Sequence, residues 1–73
     1  MIEVRLFATF REGRQKVYQF PGTQFQKAVE IVDYFDIPHD QVSIYLINGI
    51  HSKLTDAVND GDVIALFPPV GGG

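Results

Sequence analysis

The stretch FPPVGGG, residues 67–73, carries the group in this chain best suited to covalent chemistry, and that group is not a side chain. Pro68 and Pro69 favour an extended, polyproline-like spacer that holds the chain end away from a folded body. Gly71, Gly72 and Gly73 then form the thinnest thread a polypeptide can make, one able to enter a channel where any Cβ would clash. At its end stands the α-carboxylate of Gly73. A carboxylate is a poor electrophile until activated. Transfer of AMP from ATP would give a mixed anhydride, and a sulfur donor displacing the AMP would leave a thiocarboxylate on Gly73. Glycine at this position leaves the carbonyl unhindered on both faces. The plainer alternative is a frayed chain end, which is common, but fraying requires neither the prolines nor the glycines in this order.

The other reactive side chains point to less. His39 and His51 have no companions at metal-ligand spacing, so His39 reads as a solvated loop residue and His51 as a surface residue on a strand edge. Asp60 and Asp62 flank Gly61, but the ligand spacing of a calcium loop is missing and a turn is the expected reading. Arg11, Arg14 and Lys16 could make a small basic spot facing a carboxylate-rich partner; for Arg14 and Lys16 a solvated hairpin end is the expectation. There is no phosphate-loop pattern, and no helix follows the terminal glycines to aim amides at an anion. Zero cysteines remove disulfides, thiolate metal sites and cysteine nucleophiles together.

These groups must be positioned by a small body. Seventy-three residues make one domain, which buries only about 60 % of its unfolded surface. The chain is 45 % apolar with six Phe and three Tyr, enough for one core and unlike a disordered segment. No apolar run approaches the roughly 20 residues of a membrane span, and the charged N-terminus (Glu3, Arg5) is no signal peptide, so a cytoplasmic protein without a membrane partner is expected. The six Lys and Arg are scattered and the net charge is −3, which argues against nucleic acid.

IEVRLFATF alternates with period two, placing Ile2, Val4, Leu6 and Ala8 on a buried face, with Phe7 making the other face partly apolar. REGRQ is a turn and KVYQF a second strand, stopped by Pro21-Gly22, so the two form a hairpin. Thr23 is the expected N-cap of a helix, with Gln26 completing a capping box. Phe25, Ala28, Val29, Val32 and Phe35 give that helix one apolar stripe, and Asp36-Ile37-Pro38 ends it. QVSIYLI is a third strand, expected to be buried on both faces. Asn48-Gly49 after it is a strong hairpin signal, and IHS is a short return strand. LTDAVNDGD reads as a one-turn helix or a loop closing on a turn at Asn59 to Asp62, and VIALF is the last strand. A parallel pairing of the first and last strands satisfies the handedness of crossovers. The predicted architecture is α+β: a β-grasp (ubiquitin-like) domain over residues 1–67, its mixed four- to five-stranded sheet packed on one main helix, followed by an extended C-terminal Gly-Gly tail over 68–73.

With NG after a buried strand, DGDVIALFPPV, the terminal glycines and the opening VRLFATFRE, the chain resembles the MoaD/ThiS family of ubiquitin-like sulfur carriers, and within it the small subunit of molybdopterin synthase. The likeness spans nearly the whole chain, and Asp60 to Gly73 is its specific part. The resemblance implies a carrier co-substrate, not an enzyme. An E1-like adenylating enzyme, using ATP, would activate Gly73 and allow its sulfuration. The tail would then enter the large molybdopterin synthase subunit, which moves the sulfur to a pterin precursor in molybdenum cofactor biosynthesis. On this resemblance Gly73 bears the acyl-adenylate and then the thiocarboxylate, Gly71 and Gly72 thread the partner's active site, and Phe67, Pro68, Pro69 and Arg11 dock against the partner. No cofactor or metal bound to this chain is implied. Two departures stand out: Gly at position 71, where the synthase subunit commonly shows another small residue, and the short connection Asp36 to Gln41, which leans toward the smaller thiamine-type carrier, whereas FPPV leans back. A ubiquitin-like modifier joined to lysines through Gly73, and a plain β-grasp interaction module, are the readings from other classes.

Overall fold

The computed structural model describes residues 1–69, so Gly71, Gly72 and Gly73 lie outside the described residues. Five strands are present: β1 (Ile2–Leu6), β2 (Val17–Phe20), β3 (Ile44–Ile47), β4 (Ile50–His51) and β5 (Val63–Phe67), with one helix, α1 (Ala28–Tyr34), between β2 and β3. They form one sheet in the order β2-β1-β5-β3-β4. β1 and β2 are the expected antiparallel hairpin, and β1 runs parallel to β5 with Val4 opposite Ile64 and Leu6 opposite Leu66. β5, apolar throughout, thus sits at the centre between β1 and β3, and these three strands have both backbone edges paired.

Because side chains alternate along a strand, this register divides the sheet into two unlike faces. Ile2, Val4 and Leu6 of β1, Ile64 and Leu66 of β5 and Tyr45 of β3 are buried beneath α1, which contributes Ala28, Ile31 and Val32. The Tyr45 hydroxyl donates to the Ala28 carbonyl at 3.0 Å; burial pushes its pKa well above the ordinary phenol value. The opposite face carries Glu3 and Arg5, Val63, Ala65 and Phe67, and Ile44 and Leu46, with no described element laid over it. Hence β3 is not buried on both faces as its apolar run predicts: Tyr45 is buried, while Ile44, Leu46 and Ile47 are only partly so.

Several local expectations give way to tertiary structure. Thr23 is not the N-cap. The helix begins after Lys27, which has extended backbone and makes no side-chain cap. The first helical amides are satisfied from elsewhere, Ala28 N–H by the Asp56 carbonyl and Val29 N–H by that of Leu54, both at 2.9 Å. Gln26 makes no capping box; its own N–H donates to the Glu30 carboxylate. Phe25 is buried ahead of the helix rather than within it, and Ile31 joins the apolar stripe. Strand β1 also stops sooner than its alternation predicts. Ala8 takes a left-handed φ of 53°, and Ala8–Arg11 form a 3-10 turn that buries Phe10 and leaves Ala8 exposed. Gln41 belongs to a second such turn, His39–Gln41, not to β3. LTDAVNDGD contains no helical turn; Ala57 bridges Lys27, and the turn at Asn59 to Asp62 closes as expected.

Arg14 is likewise not a solvated hairpin residue. It is half-buried, and its guanidinium donates to the carbonyls of Phe35 at 2.8 Å and Phe10 at 3.3 Å. One cation thereby closes both the 3-10 turn and the C-terminal end of α1, where the helix dipole favours positive charge. Charge-assisted hydrogen bonds of this kind are worth about 1.5–3 kcal/mol each when buried. Arg14→Ala is therefore expected to lower unfolding free energy by about 1–2 kcal/mol, the partial exposure reducing the effect. Urea denaturation reads this directly, and an unchanged midpoint would refute the pinning role. Lys16 is exposed, as expected.

Candidate functional site

The parallel pairing of β1 with β5 brings their C-terminal ends together at one end of the sheet. The Phe7 N–H donates to the Leu66 carbonyl at 3.2 Å, and the rings of Phe7 and Phe67 stack face to face, 4.3 Å between centroids and 9° from parallel. The left-handed turn at Ala8 ends β1 just after Phe7. Arg11 comes to rest with its guanidinium carbon 4.9 Å from the Phe7 ring centroid, and its Nε donates to the Leu6 carbonyl at 2.6 Å. Guanidinium, ring and ring form three layers at the point where β5 ends. A cation held over an aromatic face and fixed by a carbonyl has lost most of its rotamer freedom before any partner arrives.

Of the residues singled out in the sequence, Phe67 and Arg11 are thus brought together, joined through Phe7. Pro68 comes directly after Phe67 and is buried; Pro69 is exposed. The Phe67 carbonyl accepts from Ser43 N–H at 2.9 Å, which ties the end of β5 to the residue before β3. Phe7 is not among the site residues that the sequence predicts. A signal for it exists, since it is the one large apolar side chain on the otherwise polar face of IEVRLF. Beside the stack, Ile44 lies opposite Phe67 and Leu46 opposite Ala65, so an apolar strip runs along the uncovered face of β5 and β3.

The charged flank of this face is internally paired. Arg5 and Gln19 both donate to the Glu3 carboxylate, and these bonds hold its pKa below the ordinary carboxylate range. His39 stands 2.6 Å from Asp33 on the surface, and His51 is exposed on the edge strand β4; among the described residues neither is hydrogen-bonded to the stack. Among the described residues no group of three or more His, Asp or Glu side chains could hold a metal, and no cavity opens. Among the same residues no helix is long and apolar enough to cross a membrane. Among the described residues the surface therefore presents an apolar strip and no enclosed cavity.

Comparison with known proteins agrees with this architecture. A search of curated proteins finds no match. Among solved structures, SAMP1 from Haloferax volcanii superposes with a TM-score of 0.75 at 27 % identity, covering 99 % of this chain and 98 % of that one. A putative molybdopterin converting factor subunit 1 from Pyrococcus furiosus shares the fold at 20 % identity, with a TM-score of 0.71 and coverage of 94 % and 97 %. The complex of subunits 1 and 2 of molybdopterin-converting factor from Helicobacter pylori shares it at 24 % identity, with a TM-score of 0.63 and coverage of 99 % and 97 %. The fold is thus the β-grasp of ThiS, MoaD and SAMP proteins. The sequence profile of the ThiS family matches residues 4–73, nearly the whole length, and the chain belongs to that family.

Proposed function

We propose that this chain is a sulfur-carrier protein that acts as a co-substrate, with the α-carboxylate of Gly73 as its working group. The observation that carries the reading is the extent of the family match, which runs through residue 73 and so takes in all three terminal glycines. In the first step the Gly73 carboxylate attacks the α-phosphate of ATP on an E1-like adenylating enzyme, giving acyl-adenylate and pyrophosphate. Hydrosulfide delivered by a sulfur donor then attacks the acyl carbon, breaking its bond to AMP and leaving a thiocarboxylate. Phe67, Phe7, Pro68, Pro69 and Arg11 dock against the partner, while Gly71 and Gly72 thread its active site. The acceptor is the large molybdopterin synthase subunit or its equivalent, in the cytoplasm, and the sulfur goes to a pterin precursor of the molybdenum cofactor. The two-subunit complex of the H. pylori converting factor supports a large-subunit partner. A thiamine-type acceptor uses the same carrier chemistry and is the nearest variant.

Likeness to the archaeal modifier protein SAMP1 favours a second reading, in which the same activated carboxylate is joined to lysines of other proteins. Intact mass of the protein isolated from its own cells separates the two. A fraction in which one oxygen is exchanged for sulfur, mapped to Gly73, is the expected result. A ladder of heavier adducts linked through Gly73 would favour the modifier, and residues found beyond Gly73 would point to a precursor. A carboxylate that stays unmodified after incubation with the adenylating enzyme, ATP and a sulfur donor would overturn the carrier reading.

A further inference from the structure

The corner where the β3–β4 turn meets the start of β5 is independent of the docking strip and lies at the opposite end of β5. Ile47 pairs with Ile50, leaving Asn48 and Gly49 as a two-residue loop with φ of 53° and 81°. Two successive positive φ values define the hairpin turn that Asn-Gly favours. The Asn48 side chain does more than tolerate this geometry. Its Oδ1 accepts from Val63 N–H at 2.9 Å, its Nδ2 donates to Asp62 Oδ1 at 2.9 Å, and its main-chain N–H donates to the Val63 carbonyl at 2.8 Å. Asp62 in turn uses Oδ2 to accept from Asn59 N–H. One carboxamide therefore joins two turns and the first residue of the central strand.

Asn-Gly is also the dipeptide with the least steric barrier to attack of a main-chain nitrogen on a side-chain amide, because Gly49 carries no Cβ. We propose that Asn48 is a modification site, a deamidation centre whose reactivity is gated by opening of this corner. In the reaction the Gly49 nitrogen, losing its proton to base, attacks Asn48 Cγ; the Cγ–Nδ2 bond breaks and ammonia leaves, closing a succinimide. Water then opens the ring to aspartate or isoaspartate. No oxidant or cofactor is required. In the closed corner Cγ cannot swing toward Gly49 until the carboxamide leaves both Val63 and Asp62, so the folded state protects the site. Once the reaction occurs, return is blocked. The former donor Nδ2 becomes a carboxylate oxygen facing Asp62 Oδ1, and the isoaspartate form also adds a methylene to the turn backbone.

Among the described residues no Lys, Arg, His or terminal ammonium is ion-paired with Asp62. Asp60 is engaged with the Met1 ammonium, Arg5 with Glu3, and His51, which comes after the turn on β4, is exposed. Two carboxyls sharing one site raise the pKa of one of them in the folded state. A raised folded pKa gives stability that is present at acid pH and lost as pH rises through it. The repulsion between the two carboxylates thus acts at neutral pH and is relieved at acid pH.

The full chain, incubated at mildly alkaline pH in buffer and in unfolding urea, tests this, with peptide mass spectrometry following the exchange of NH for O at Asn48. Deamidation is expected to be slower in buffer by at least about tenfold, the factor that about 1.4 kcal/mol of local opening free energy supplies. Equal rates would overturn the gating. Asn48→Gly keeps the positive φ and removes the reactive amide; the mass gain in that peptide should vanish. Asn48→Asp should unfold at lower urea than Asn48→Gly near pH 7, with the gap closing toward about pH 3 as a carboxyl protonates. An Asn48→Asp protein matching the wild type across that range would refute the lock, and if it fails to fold, the rate comparison and Asn48→Gly still decide.

Discussion

Removal of Gly73 alone is expected to abolish activation of the chain while leaving its fold untouched. Every described strand, the helix and the buried hydrophobic core lie between Ile2 and Phe67, six residues or more before the chain end. Truncation moves the terminal carboxylate back by one residue, about 3.3–3.6 Å along an extended chain. A displacement of about 1 Å at a reacting centre can already cost a factor of about 100. ATP–pyrophosphate exchange catalysed by the E1-like enzyme should therefore fall by at least that factor, whereas the thermal midpoint should stay within about 2–4 °C, the shift that the roughly ±0.5 kcal/mol typical away from packed or hydrogen-bonded sites gives a domain of this size. Addition of a residue after Gly73 is expected to act as severely. Truncated protein activated at the normal rate would sink the carrier and modifier readings together and leave an interaction module that works through the sheet face.

The parts of this architecture that could be read from the chain are those decided locally. VIALF is β5 residue for residue, because Gly61 and Pro68 bound it and its apolar run suits a central strand. Asn48-Gly49 makes the two-residue hairpin since its φ requirements are intrinsic to those residue types. The parallel β1–β5 pairing came from apolarity and connection handedness. What could not be read depends on distant atoms. The start of α1 is set by carbonyls of Leu54 and Asp56, and no window around Thr23 contains them. Arg14 reaches the carbonyl of Phe35, 21 residues away. Ala8 has no propensity for positive φ, since L-residues lose about 1–2 kcal/mol there; the strain is held by the anchoring of Phe7 against Phe67 and of Phe10 in the core. Phe67 and Arg11 are docking candidates through the family resemblance, and the ring between them becomes visible only when β1 is laid beside β5.

Leu66 and Phe67 offer the sharpest separation of folding from docking, because neighbouring residues of one strand face opposite sides of the sheet. Leu66 is fully buried beneath α1 and paired with Leu6 and Tyr45. Its truncation to Ala leaves a cavity in the packed core and is expected to lower stability by about 2–5 kcal/mol. Domains of this size have only about 5–15 kcal/mol in total, and small ones sit at the lower end, so Leu66→Ala should be partly unfolded at moderate temperature. Phe67 instead lies half-buried on the uncovered face, stacked on Phe7. Phe67→Ala forfeits that stacking, about 0.5–1.5 kcal/mol, and leaves the core intact. A central aromatic anchor at a protein interface, however, is typically worth about 2 kcal/mol or more, so partner affinity should drop by about 30-fold. Urea denaturation and calorimetric titration into the adenylating enzyme give the two quantities separately. The expected pattern is a large stability loss with near-normal affinity per folded molecule for Leu66→Ala, and the reverse for Phe67→Ala. If Phe67→Ala binds as tightly as the wild type, the aromatic stack is a structural plug at the end of β5, and docking must fall to the residues beyond it.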